Sequence, residues 1–384
     1  MPLDQAPGPY THEESTGSVT DKSISRSALI KVTSMKVGFV SYPMLFQNEG
    51  GLQVQLRETQ ASLLKIGIDV RIIDTVRDDF ANFDIIHVFS VQHGNVKPIE
   101  QARAKGCKVV LSSLLNPALV IEAPLRLALI RFLESSIGRI SNYKVKTDLS
   151  NVRKAIAGAD HIIALGNWES NVVNKVFKAD PGRVSVVPNG VSRNFFEANM
   201  ADFHAEYEVS GPFVFCPGQI SPWKNQLTLV KALAGTDVTV VLAGPVSDQN
   251  RATLDACLAV PAAKVVYLGN LDRMSPAFSG AYAAASVVVL PSKAEAAPLV
   301  ALESLAAGTP VIITCHNGLH LQPDGYCLRT IEPFDVQAIR KAVLEVLEVR
   351  PDPISCRSVV ESMSWDGVAD QIASIYASLF LSAR

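Results

Sequence analysis

Two glutamates, Glu295 and Glu303, stand eight positions apart in the run Pro291-Ser292-Lys293-Ala294-Glu295-Ala296-Ala297-Pro298-Leu299-Val300-Ala301-Leu302-Glu303-Ser304-Leu305-Ala306-Ala307-Gly308-Thr309-Pro310. Val287 to Leu290 before them read as a buried parallel strand. Pro298 at a first helical position and Gly308 just past the last turn predict a helix of about three turns. Glu295 then belongs to the strand-to-helix loop and Glu303 to the helix. At about 1.5 Å and roughly 100° per residue, the two carboxylates flank the helix N-terminus rather than neutralise one another. Ala297, the expected N-cap, has no side-chain acceptor for the first helical N–H groups. Those donors are left to an anion, which the helix dipole favours, or to water or a 3₁₀ turn. On the helix alone neither reading wins.

Four further features fall at the C-terminal ends of expected strands, where open α/β sheets bind ligands. Gly50-Gly51 opens a helical segment after the first strand, where backbone can approach a ligand closely. Pro188-Asn189-Gly190-Val191 makes a turn midway along the chain. Gly218-Gln219-Ile220-Ser221-Pro222-Trp223-Lys224-Asn225-Gln226 and Gly244-Pro245 follow two successive later strands. Taken singly, a glycine pair is a tight turn, Asn189-Gly190 a linker and Lys224 a solvated charge. Their order and spacing change that balance.

The elements that must position these residues come in two series. Apolar runs at Val37 to Val40, Val70 to Ile73, Ile85 to Phe89, Val109 to Ser112, His161 to Leu165 and Val184 to Val187 alternate with helical segments. A second series runs Val214 to Pro217, Val238 to Ala243, Val265 to Leu268, Val287 to Leu290 and Val311 to Thr314. Such alternation predicts α/β architecture with two Rossmann-like, doubly wound parallel sheets facing a cleft. The expected division is 35–190 for the first domain, 191–363 for the second, and a final helix within 364–384. That helix is read from Val368, Ile372, Ile375, Tyr376 and Leu379 at helical spacing. Residues 1–34 are rich in Ser, Thr, Pro, Gly and charge, and read as a disordered tail. Met35, directly before the first strand, is expected to be either the native start or the end of a dispensable segment.

The 384 residues, 48% of them hydrophobic, suffice for two cores. With 35 Lys and Arg against 37 Asp and Glu, the net charge of −2 argues against a nucleic-acid binder, so any anion site must be local. The six cysteines are scattered without a CxxC pair, which reads as reduced, packed thiols with no zinc site indicated. No run approaches the roughly 18 apolar residues of a membrane helix. The expected location is cytoplasmic, with a peripheral contact at the inner face of the membrane as a further option.

In the order of these motifs the chain resembles the GT-B fold glycosyltransferases of family 4. The resemblance runs from Met35 to the C-terminus and is strongest from Val184 to Gly318. Ser292, Glu295, Glu303 and Ala307-Gly308-Thr309-Pro310-Val311 match the family's serine, acid, glutamate and Ala-Gly-x-Pro-Val pattern. Pro188 to Val191 match its Pro-Asn-Gly-Val element, and Gly218 through Lys224 its glycine-to-lysine element. The resemblance implies retaining transfer of a hexosyl unit from a UDP-, GDP- or ADP-linked sugar to a glycan or lipid-linked acceptor, in surface polysaccharide or glycoconjugate biosynthesis. No metal ion or other cofactor is implied. Lys224 would pair with the donor diphosphate and Glu295 with hydroxyls of the moving sugar, these two forming the catalytic set. Glu303 would take the ribose hydroxyls, and the backbone around Pro298, Leu299 and Val300 the distal phosphate. Gly50, Gly51, Asn189, Gly190, Gln219 and Gly244 complete the substrate site. The final helix with Trp365 and Tyr376 resembles the family's segment that crosses back to the first domain.

The chain departs from the pattern at two places. Gln219 stands where many relatives carry an arginine, so diphosphate stabilisation is expected to be weaker or supplied elsewhere. After the strand Val109 to Leu111, Ser112-Ser113-Leu114 stands where several relatives place a histidine, and His87 and His93, one strand earlier, are not expected to replace it. Arg126, Arg131 and Arg139 within Leu125 to Ile140 form a basic amphipathic stretch, read either as an ordinary helix with solvated arginines or as a surface for anionic lipid. The rival functions are a catalytically degenerate nucleotide- or glycan-binding protein, and another nucleotide-sugar enzyme of the same fold, such as an epimerase or phosphorylase.

Overall fold

The computed structural model describes residues 35–47, 50–92, 94–117 and 148–382. The tail expected at 1–34, His93 and the basic stretch at 125–140 lie outside the described residues.

Among the described residues, short β-branched runs bounded by glycine and polar turns give twelve strands: β1 Lys36–Val40, β2 Asp69–Ile72, β3 Ile85–Phe89, β4 Lys108–Ser112, β5 His161–Ala164, β6 Val184–Val186, β7 Phe213–Pro217, β8 Thr239–Ala243, β9 Lys264–Tyr267, β10 Val287–Leu290, β11 Val311–Thr314 and β12 Leu328–Ile331. They form two six-stranded sheets, in the orders β2-β1-β3-β4-β5-β6 and β12-β11-β10-β7-β8-β9. Every pairing is parallel, with Val37 opposite Ile85 in the first sheet and Val287 opposite Val214 in the second. Such strands are covered on both faces, which is why they read as continuous Val/Ile runs. Strand order reverses between β1 and β3 in one sheet and between β7 and β10 in the other. The loops leaving those strand ends splay apart and open a crevice.

The strand periods place eleven of the twelve strands to within a residue or two; β12 is the addition. Its edge position, half-buried Arg329 and exposed Thr330 hide the apolar pattern. The helix after β10 spans Leu299–Ala307, with Pro298 as N-cap at φ −69° and ψ 113° and Gly308 at φ +85° past its end. The start is therefore one residue later than the proline suggests, because the extended ψ of Pro298 keeps it outside the first turn. The consequence for the helix mouth is unchanged, since proline offers neither a side-chain acceptor nor an N–H.

The final helix, Trp365–Ser382, buries Trp365, Val368, Ile372, Ile375, Tyr376 and Phe380 against a core that also holds Val37, Phe39 and Leu56 of the first half. It packs on the helix Gly51–Lys65. Each such side chain contributes roughly 1.5–3 kcal/mol when fully buried. The same apolar cluster continues through Val191, Phe195 and Phe203 to Val288 and Leu302, so one core joins the two sheets. His87 belongs to this joint: it is fully buried, with Nδ1 2.6 Å from the Tyr376 hydroxyl and Nε2 2.8 Å from Ser112 Oγ. Burial lowers its pKa to about 3, so it stays neutral and structural, as a packed strand histidine should.

Candidate functional site

The glycine turn after β7 and the carboxylate loop after β10 leave neighbouring strands at the reversal point of the second sheet. Trp223 ties them together: its indole N–H donates to the Ala294 carbonyl at 3.2 Å, and its own carbonyl accepts from Lys293 N–H at 2.9 Å. This tie brings Lys224 Nζ to 2.5 Å from Glu295 Oε1, both side chains being mostly buried. The turn itself is closed by Gly244 at φ +143°, where a Cβ would stand 2.2 Å from the Gly218 carbonyl oxygen. No other residue fits there.

Glu303 is 3% exposed and lies on the Leu299–Ala307 helix. Its Oε1 accepts from the Arg273 guanidinium, and its Oε2 from the Tyr282 hydroxyl at 2.6 Å. Burial, with Glu303 beside it, pushes the Tyr282 phenol well above its ordinary pKa, so that it keeps its proton and donates. The two carboxylates thus do not share a partner: Glu295 has a lysine, Glu303 an arginine and a phenol.

Lys224, Glu295 and Glu303 line one cavity of about 420 Å³ together with Gly50, Gly51, Asn189, Gln219, Gly244, Pro298, Leu299 and Val300. Gly190 does not. A Cβ on Gly190 would meet the Trp365 backbone nitrogen at 2.5 Å, so this glycine serves the close passage of the chain entering the final helix. Its neighbour Val191 donates from N–H to the Met363 carbonyl at 2.9 Å. Gly190, expected in the substrate site, is thus not in the cavity's lining, and the close Trp365 backbone accounts for the glycine.

Two helix mouths meet in the cavity. The helix Gly51–Lys65 starts from Gly50 and the helix Leu299–Ala307 from Pro298, and neither has a side-chain cap. Gly50 has an extended φ of −175° and Cβ room to spare, and a Cβ on Gly51 would come no nearer than 3.9 Å to Leu299 Cδ1. Neither backbone strain nor crowding demands these glycines, and their smallness leaves the helix mouth open to a ligand.

Several contributors carry no sequence signal. Arg273 and Tyr282 reach the site from the loop and helix after β9, and only tertiary packing brings them to Glu303. The buried Glu169 holds the opposite wall from behind, accepting from Ser113 Oγ at 2.7 Å, Leu115 N–H at 2.6 Å and Leu165 N–H at 2.6 Å. Burial raises its pKa, against the opposing effect of these hydrogen bonds. The loops it pins present Leu114, Asn116 and Leu165 to the cavity. Two buried carboxamide oxygens among the cavity residues, Gln55 Oε1 and Asn189 Oδ1, have no hydrogen-bond partner. An orphaned buried acceptor is costly, and a ligand hydroxyl would satisfy it.

Residues 211–349 match the family model for glycosyl transferases group 1. A D-inositol 3-phosphate glycosyltransferase of Mycobacterium leprae is 27% identical over 58% of this chain and 56% of its own length. The chain thus spans little more than half of the first relatives that it matches. The enzyme of the same name from Streptosporangium roseum is 26% identical over 94% of both chains. In fold, the chain is similar to sucrose-phosphate synthase from Thermosynechococcus elongatus, with a TM-score of 0.72, 20% identity and coverage of 91% of this chain and 100% of that one. It is also similar to Anabaena HepE in complex with UDP and glucose, with a TM-score of 0.66, 16% identity and coverage of 90% and 100%. The two-sheet arrangement is the GT-B fold. Among the described residues, no helix is long and apolar enough to cross a membrane.

Proposed function

From the match of residues 211–349 to the family model for glycosyl transferases group 1, we propose that the cavity transfers a hexosyl unit from a nucleoside diphosphate sugar to a hydroxyl of a glycan or lipid-linked acceptor. The reading includes retention at the anomeric carbon and no metal ion. The observation that carries it is the Lys224–Glu295 pair, set across the reversal point of the second sheet and directly before an uncapped helix.

The diphosphate lies between Lys224 and the amides of Leu299 and Val300, where a fixed cation and a helix dipole meet the charge that grows as the sugar leaves. Arg273 is the second cation of the cavity, which answers the absence of charge at Gln219. Each Glu303 oxygen keeps a lone pair beyond its bond to Arg273 or Tyr282, and these accept from the ribose hydroxyls. Glu295 turns from Lys224 to hydroxyls of the moving sugar. The bond between the anomeric carbon and the phosphate oxygen breaks, a bond to the acceptor oxygen forms on the same face, and the acceptor proton passes to the departing phosphate. Gln55 and Asn189 accept from sugar or acceptor hydroxyls on the other wall.

The fold neighbour that holds UDP and glucose supports UDP-glucose as the first donor to try. The name of the mycobacterial relative adds an inositol phosphate to the acceptor panel. The test is incubation of the full chain with UDP-, GDP- and ADP-sugars and that panel, followed by mass analysis and by NMR of the new anomeric centre. One donor should yield a glycoside of unchanged anomeric configuration. An inverted product would remove the retaining step, and neither product nor freed nucleotide from any donor would sink the transfer reading.

A further inference from the structure

The ends of β11 and β12 carry a cluster that sugar transfer does not use. Cys315 and His316 follow β11, and Glu332 follows the adjacent β12. Cys315 Sγ lies 3.0 Å from Glu332 Oε1, His316 Nε2 lies 3.7 Å from Glu332 Oε2, and the three donor atoms lie within 4.8 Å of one another. With bonds of about 2.0–2.3 Å, the donors around a tetrahedral zinc ion stand about 3.3–3.8 Å apart. The cluster therefore closes on an ion with shifts of about 1 Å.

Thiolate, imidazole and carboxylate form a donor set for a borderline ion such as zinc or cobalt, and a poor one for magnesium or calcium. All six cysteines are unpaired, and Cys315 is the only one that is not buried. Glu332 is exposed, which leaves the fourth position to water.

We propose that Cys315, His316 and Glu332 form a binding site for a zinc-type divalent ion, and that its occupation acts on Glu295 through the backbone bonds between the neighbouring loops after β10 and β11. The connection is backbone to backbone. Glu295 N–H donates to the His316 carbonyl at 2.9 Å, Gly318 N–H donates to the Glu295 carbonyl at 3.0 Å, and Glu295 pairs with Asn317 as an isolated bridge. Fixing the His316 ring and the Cys315 sulfur on an ion fixes the segment after β11 that braces the Glu295 backbone. Binding releases the thiol proton to solvent, so it strengthens as pH rises.

The test titrates cobalt(II) into the full chain and follows the thiolate-to-cobalt charge-transfer absorption. The band should saturate at one ion per chain, disappear in Cys315→Ser and be displaced by zinc. Glu332→Gln should weaken binding by at least about tenfold. Absence of the band, or a band unchanged in Cys315→Ser, overturns the site. For the coupling, amide hydrogen exchange in 294–298 should slow with zinc in the wild-type chain and not in Cys315→Ser. Equal exchange with and without zinc in the wild-type chain overturns it. Neither readout involves sugar transfer, so failure here is distinct from failure of the proposed activity.

Discussion

The two walls of the cavity differ in kind. Lys224, Arg273, Glu295 and Glu303 make up all the charged residues of its described lining, and all four come from the second half of the chain. Among the described residues, the first half contributes glycines, leucines and the amides Gln55, Asn116 and Asn189, with no charge. Glu169, near this wall, is turned to backbone amides behind the surface. The contrast teaches how a crevice between two similar sheets divides its labour. Charges held in a partly desolvated wall must be paired, as Glu295 and Glu303 are, and they suit a ligand whose own charge can exchange with a partner. A neutral wall with open amide oxygens suits hydroxyls.

Substitutions on each side can break this comparison. Lys224→Ala should have the largest effect, a ten- to hundredfold loss of turnover, because a lost contact to a charged group costs about 1.5–3 kcal/mol. Unchanged turnover in a kinetic assay would remove Lys224 from the charged wall's chemistry. Arg273→Ala leaves the buried Glu303 with only Tyr282, and chemical denaturation should show a loss of about 2 kcal/mol, reduced from the fully buried case because the arginine is partly exposed. The double variant Arg273→Met, Glu303→Gln should recover stability and still bind nucleotide poorly. Recovery of both would mean that the pair serves packing alone.

At the seam between the walls, Gly190→Ala should cost roughly 1–3 kcal/mol by pressing on the Trp365 backbone, while nucleotide affinity in the folded fraction stays the same. A lowered affinity at full stability would return Gly190 to the ligand site. The smallest effect is expected from Gln55→Leu, a rise of about fivefold in acceptor KM at constant donor KM, equal to one neutral hydrogen bond of about 1 kcal/mol. An equal rise in both constants would erase the distinction between the walls.

The charged wall was largely legible in the sequence, and the neutral wall only at Gly50, Gly51 and Asn189. Glu295, Glu303 and Lys224 sit at fixed spacings from strand ends, and strand ends announce themselves through Val/Ile runs and the glycines that follow them. Arg273 carries no such mark, because its role depends on a guanidinium arriving from a loop 30 residues before Glu303. Glu169 reads as one more helical acid until the fold encloses it. Gly190 shows the ambiguity of such a motif: an Asn-Gly turn looks the same whether it approaches a ligand or another stretch of backbone. Cys315, His316 and Glu332 escape motif reading because their donors come from two strand ends rather than one short spacing. β12 escapes because an edge strand with Arg329 half-buried shows no clean period.

The most direct test of the charged wall is calorimetric titration of UDP, GDP and ADP into the full chain and into Lys224→Ala. One nucleoside diphosphate should bind at one per chain, and at least about tenfold more weakly to the variant. Absence of binding by all three, or equal affinity for both proteins, would contradict a diphosphate site at the Lys224–Glu295 pair.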